Sequence, residues 1–160
     1  SASPVKLAEA AELCVDLARV IDGRDVPALV QRAAELLEAK GVILWAAETS
    51  TRTLRPSLTH GYSAKVVSRL GTLDIDGDNV TSLCYRSMRP QVMPAGSPEA
   101  SGAIAVPLIT PSGCAGVLAA EVREPSPSQD LLAMSRIIAA QFAVLAGPAD
   151  SSDKRSAAEA

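Results

Sequence analysis

Two pairs of short apolar segments, each pair joined by a polar turn, constrain the fold of this chain most strongly. Residues 42–47 form a continuous apolar run, and residues 53–60 alternate in part between apolar and polar side chains. Residues 103–109 and 114–123 form the second pair, on either side of a turn at 111–113. Parallel strands need a long crossover connection, so segments this close in sequence predict two β-hairpins and an antiparallel sheet.

The hydrophobic pattern has a helical period at both ends of the chain. Apolar residues recur every three or four positions over residues 4–21 and 26–39, and again up to about residue 146 in a helix that Ser126 is expected to cap. Residues 61–100, called the insert below, are irregular and contain two short predicted helices at 64–70 and 80–88. Hairpins and helices segregated in this way predict an α+β domain over residues 1–148. Residues 149–160 are small and polar, which predicts a disordered tail or linker.

Charge and composition exclude several classes of protein. The net charge of −3, from 15 Lys and Arg against 18 Asp and Glu, disfavours a strongly basic nucleic-acid binder. No apolar run approaches the length of a membrane span, and the first residues lack the pattern of a signal peptide. We therefore expect a cytoplasmic protein with no nucleic-acid or membrane partner. Three scattered Cys and one His predict neither a disulfide framework nor a metal site.

Four stretches resemble the GAF family of small-molecule sensor domains. They are residues 42–48, 59–63 (THGYS), 78–94 (DNVTSLCYRSMRPQVMP) and 103–122 (AIAVPLITPSGCAGVLAAEV), the last being the most similar. The resemblance implies a central antiparallel sheet, with the helices from the two ends of the chain on one face and the insert on the other. It also implies a ligand between sheet and insert, and a regulatory role within a signalling protein that carries a further domain.

A pocket between sheet and insert would be mostly apolar in this chain, which suits an apolar or modestly polar small molecule better than a polyanion. The residues expected to line it are Trp45, Tyr62, Asn79, Ser82, Leu83, Tyr85, Met93, Val106 and Leu118. The ligand is unknown and no cofactor is identified. The leading hypothesis is a non-catalytic sensory or regulatory domain that binds this ligand and dimerises.

More specific ligands of the family fit poorly. A bilin needs an attachment Cys and aromatic walls, whereas the insert offers only Cys84 in a chain with four aromatic residues. A cyclic nucleotide would meet Asp74, Asp76 and Asp78 at the start of the second insert helix, where their charge repels phosphate. The same aspartates superficially resemble a calcium loop, but Tyr85 stands where the loop requires Glu.

Two other functions stay open from the sequence. One is a dimerisation scaffold without a ligand. The other is a Cys-dependent free methionine sulfoxide reductase, which needs a thiolate nucleophile and a resolving Cys. Cys84 lies near one cysteine position of that branch of the family, but residues 98–102 contain no Cys where the branch carries its nucleophile.

The terminal helices predict a homodimer. The first helix carries a second apolar stripe beyond the one that its own domain requires, and a helix of this kind needs two surfaces to bury against. The residues expected at the dimer interface are Leu13, Val20, Leu131, Ile138 and Leu145.

Overall fold

The computed structural model describes residues 4–146, so the expected tail at 149–160 lies outside the described residues. The helices are α1 (Pro4–Ala18), α2 (Val26–Leu36), α3 (Ala64–Ser68), α4 (Val80–Ser87) and α5 (Gln129–Ala146). The strands are β1 (Ala39–Glu48), β2 (Thr53–His60), β3 (Leu73–Asp74), β4 (Gln91–Met93), β5 (Gly102–Thr110) and β6 (Gly113–Val122). A short 3-10 helix, Gly23–Asp25, precedes α2.

All six strands pair antiparallel in one sheet, in the order β3-β2-β1-β6-β5-β4. The two predicted hairpins, β1–β2 and β5–β6, are therefore confirmed, and they meet through β1 and β6 at the centre of the sheet. Pro56 lies beyond the short pairing of β2 with β3, where that side of β2 is an edge of the sheet. The missing amide hydrogen of proline therefore costs no hydrogen bond of the sheet.

Helices α1, α2 and α5 cover one face of the sheet. Leu13 and Leu17 of α1, Val30 of α2 and Ile138 of α5 are fully buried there in a single apolar core with alternate sheet residues. The insert covers the other face, where a smaller apolar cluster forms around Trp45. The predicted α+β fold, with terminal helices on one face and the insert on the other, is confirmed.

The helix ends differ from the prediction for local reasons. Helix α1 ends at Ala18 rather than 21, because the amides of Arg19 and Val20 turn back to carbonyls three residues earlier. Helix α2 ends at Leu36, because Glu38 has a φ of 50° and β1 begins at the next residue. The cap of α5 is Ser128, whose hydroxyl accepts a hydrogen bond from the amide of Leu131, so the prediction of Ser126 was wrong.

Helix α5 is long and apolar enough to span a membrane by length and composition alone. In the structure its residues Met134, Ile138 and Phe142 are buried in the core on the sheet. The packing therefore accounts for one apolar face of this helix.

Candidate functional site

A pocket of about 290 Å³, called the insert pocket, lies between the sheet and the insert. Its floor is formed by strand residues, including Ile43, Ala103, Ala105 and Ala119. Its other walls are formed by Val80, Thr81, Met93, Ser101, Tyr62 and Glu121. The pocket exists because the floor is mostly alanine, whose side chains do not fill the space between a sheet and a helix.

Strand alternation decides which residues form this floor. Along β5 and β6, Val106 and Leu118 belong to the core beneath the helices, whereas Ala105 and Val117 belong to the cluster beneath the insert. Successive side chains of a strand point to opposite faces. The prediction that Val106 and Leu118 line the pocket was therefore wrong by one residue in each strand.

Two glycines place the ring of Tyr62 at one end of the insert pocket. A β-carbon at Gly41 would overlap the phenol end of Tyr62, so only glycine lets this ring lie on β1. Gly61, immediately before Tyr62, has a φ of 88°, and a β-carbon there would overlap the carbonyl oxygen of Lys40. Burial, and secondly the nearby carboxylate of Glu121, raise the pKa of Tyr62, so its phenol is neutral at physiological pH.

The start of α4 is fixed by side-chain hydrogen bonds. The amide oxygen of Asn79 accepts a hydrogen bond of 2.8 Å from the backbone N–H of Ser82, which makes Asn79 the N-cap. Arg86 donates to the carbonyl oxygens of Ile75 and Gly77, at 2.7 and 2.9 Å. These bonds hold α4 and the preceding loop together as one wall of the pocket.

Two of the three aspartates before α4 have structural partners. The carboxylate of Asp74 accepts a hydrogen bond from the backbone N–H of Asp76, and Asp76 forms an ion pair with Arg52. Among residues 4–146, no group of three or more His, Cys, Asp or Glu is placed to hold a metal ion.

The other residues predicted to line the pocket are separated by the structure. Tyr62 and Met93 line the insert pocket, but Ser82 is fully buried and Leu83 is 43% exposed without lining it. Trp45 is buried in the cluster beneath the insert, and its indole Nε1 has no hydrogen-bond partner in the described part of the chain.

Trp45 and Tyr85 line a second cavity of about 630 Å³, called the strand-end cleft. It opens where the ladder between β1 and β6 stops at the pair Ala46–Gly116. One wall is formed by Ala146, the last described residue. This cleft is lined from both faces of the sheet, by Trp45 and Tyr85 on one and by Phe142 and Leu145 on the other, whereas the insert pocket lies between the sheet and the insert. We therefore take the insert pocket as the candidate site.

The pocket residues that the sequence analysis missed are mainly Ala103, Ala119 and Glu121. The available signal was that Glu121 is the only charged residue in an otherwise apolar strand. Because side chains alternate along a strand, every second residue of β6 counted back from Glu121 to Val117 lies on the same face of the sheet as Glu121.

None of the three cysteines resembles an activated nucleophile. Burial raises the pKa of Cys84 to about 12, and burial also raises the pKa of Cys14 and Cys114. The thiolate is the reactive form of cysteine, so all three side chains are protonated and weakly nucleophilic near neutral pH.

The family model for the GAF domain matches residues 26–149, which is more than half of the chain. This chain belongs to the GAF domain family. The family as a whole consists mainly of small-molecule sensory and regulatory domains.

Solved structures show the same GAF fold at low sequence identity. The GAF domain of an Acinetobacter phosphoenolpyruvate-protein phosphotransferase has a TM-score of 0.77 and 12% identity, over 94% of this chain and 97% of that one. The second GAF domain of DevS from Mycobacterium smegmatis has a TM-score of 0.64 and 23% identity, over 84% and 99%. A free methionine-R-sulfoxide reductase from Neisseria meningitidis has a TM-score of 0.66 and 16% identity, over 89% and 92%. A comparison with curated protein sequences found no match.

Proposed function

We propose that this GAF domain is a non-catalytic sensory or regulatory module of a cytoplasmic signalling protein. It binds a small, largely apolar molecule in the insert pocket and forms a homodimer through its terminal helices. The observation that carries the proposal is the pocket itself, an open space of about 290 Å³ over an alanine floor. This volume lies at the small end of the range for ligand pockets.

The non-catalytic role is supported by the state of the cysteines. A methionine sulfoxide reductase of this fold needs a thiolate, whereas burial keeps the thiols of this chain protonated. Cys84 packs with Trp45 and Val117 beneath the insert, as a small apolar side chain does. We expect no reduction of free methionine sulfoxide by the purified protein with a thiol reductant.

The dimer proposal rests on different residues from those first predicted. Leu13 and Ile138 are fully buried within the protomer, so their assignment to the interface was wrong. Val20, Leu131 and Leu145 are partly buried against the same core. A helix with two apolar stripes does not reveal from sequence which stripe its own domain covers.

The exposed apolar residues of the terminal helices form the proposed interface. Ile137 and Val144 of α5 are 51% and 68% exposed, and Ala133 and Ala140 are exposed with them. These four residues follow the spacing four-three-four, which is the pattern of a helix that packs against another helix. Leu7 on α1 is 61% exposed and adds to the apolar surface.

Native mass spectrometry of the freshly purified protein, mixed with a small-molecule filtrate of the host lysate, tests both parts of the proposal. We expect a dimer that carries a discrete additional mass. Ala119→Leu, which fills the pocket floor, should remove this mass, whereas Ala64→Leu on the exposed start of α3 should keep it. A dimer without added mass in all three proteins would contradict the sensor and support the scaffold without a ligand.

A further inference from the structure

Glu121 is the one formally charged side chain that lines the insert pocket within the described part of the chain. The ion pairs among residues 4–146 join other residues, so its carboxylate has no cationic partner there. An exposed carboxylate is ordinary on a protein surface. This one differs because it stands at the end of an apolar pocket.

The ring of Tyr62 lies beside this carboxylate. Gly41 of β1 pairs directly with Glu121 of β6, and the phenol end of Tyr62 covers Gly41. Tyr62 and Glu121 form no hydrogen bond with each other in the described structure, although the charge of Glu121 acts on the phenol. The end of the pocket therefore combines a free carboxylate with a neutral aromatic ring.

A carboxylate and an aromatic ring both attract cations. The negative face of an aromatic ring favours a nearby ammonium group, and a carboxylate favours the same group by direct Coulomb attraction. The other walls carry no group that favours an anion, because none of the described residues that line the pocket is Lys, Arg or His. Asp74 and Asp78 precede α4 and oppose the attraction of its N-terminus for anions.

We infer that the insert pocket selects small organic cations, with an ammonium group beside Glu121 and Tyr62 and an apolar chain over Ala103 and Ala119. This inference rests on the proposed function, because it names the ligand class of the same pocket. The net charge of −3 for the whole chain acts in the same direction.

Three probes with the same six-carbon chain separate charge from apolar contact. We would titrate n-hexylamine, n-hexanol and n-hexanoate into the full chain and follow the amide chemical shifts of pocket residues such as Ala103 and Ala119 by NMR. We expect n-hexylamine to bind most tightly and n-hexanoate most weakly. An exposed ion pair together with a cation–π contact predicts an advantage of about fivefold for the amine over the alcohol.

Variants test which residues create this preference. Glu121→Gln should remove the advantage of the amine over n-hexanol. Glu12→Gln on exposed α1 removes the same charge from the opposite side of the molecule and should leave both affinities unchanged. Tyr62→Phe should retain the preference for the amine, and Tyr62→Leu should weaken it.

The outcomes distinguish this inference from the proposed function. If the amine and the alcohol bind equally, or if Glu121→Gln does not affect the amine, the cationic ligand class is wrong while the pocket remains a binding site. If none of the three probes shifts the pocket resonances, the inference and the proposed ligand site both fail.

Discussion

The buried hydroxyl of Ser82 donates a hydrogen bond of 2.7 Å to the backbone oxygen of Asp74, which joins α4 to β3. The N–H of the same residue is held by the cap Asn79. Ser82 therefore fixes the helix at one end of the insert, and its full burial explains why it is not available to a ligand. A residue that looked like a polar pocket residue in the sequence is a structural contact of the insert.

Replacing Ser82 by Ala should lower the free energy of unfolding by about 1 kcal/mol, because the hydrogen bond from its hydroxyl is lost while the carbonyl of Asp74 keeps its bond from the N–H of Gly77. Urea unfolding followed by tryptophan fluorescence would measure this change at Trp45, the only Trp in the chain. Ser97→Ala, at an exposed loop position, is the matched control and should leave stability nearly unchanged. Equal unfolding midpoints for the two variants would contradict the role assigned to Ser82.

The close approach of Tyr62 to Gly41 predicts a strong effect of one added methyl group. Gly41→Ala should destabilise the domain by about 1–3 kcal/mol, because the new β-carbon must displace the ring or the strand. Gly96→Ala has open space around its β-carbon and serves as the control. In the double variant Gly41→Ala/Tyr62→Ala, most of the cost of the glycine substitution should disappear. Additive costs in this double-mutant cycle would show that the ring does not lie on Gly41.

The sequence predicted the sheet well and its faces poorly, and one physical property explains both results. Strands β5 and β6 are apolar on both faces because helices cover one side and the insert covers the other. Continuous apolar runs between turns identify strands, but they lack the alternation that would assign each residue to a face. Val106 was therefore assigned to the pocket in place of its neighbour Ala105.

The same limitation applies to the helices. The apolar positions of α1 and α5 marked both as helices with buried faces, but Leu13 and Ile138 lie in the core of the protomer. The cap of α5 was placed two residues too early, because Ser126 and Ser128 both offer a capping hydroxyl and only the fold selects Ser128. Contacts between distant segments, such as Tyr62 on Gly41, depend on the sheet register and leave no local signal.

Burial of the Cys84 thiol predicts that stability falls in alkaline solution. Burial raises the pKa of Cys84 from the ordinary cysteine value of 9.0 to about 12 in the folded protein, so the folded state keeps its proton more tightly. The contribution of the Cys84 thiol to the free energy of unfolding is fully present below about pH 9 and decreases as the pH rises toward 12. Urea unfolding at pH 7, 9 and 10.5 should show a smaller loss on raising the pH in Cys84→Ala than in the wild type. A difference in unfolding free energy between the two proteins at pH 7 would reflect packing alone. An equal loss of unfolding free energy in both proteins as the pH rises would contradict the effect of burial.

The exposed stripe of α5 predicts the oligomeric state. If Ile137 and Val144 pack against a second copy, Ile137→Glu/Val144→Glu buries two carboxylates in an apolar interface and should convert the dimer to a monomer. Sedimentation velocity over a range of protein concentrations measures this shift, and circular dichroism checks that the variant folds. Val66→Glu/Leu83→Glu provides the control, because these residues are 44% and 43% exposed in the insert and add the same charge away from α5. If the dimer persists in the α5 variant but dissociates in the control variant, the interface lies on the insert side. If the wild type is a monomer, the dimer proposal is wrong.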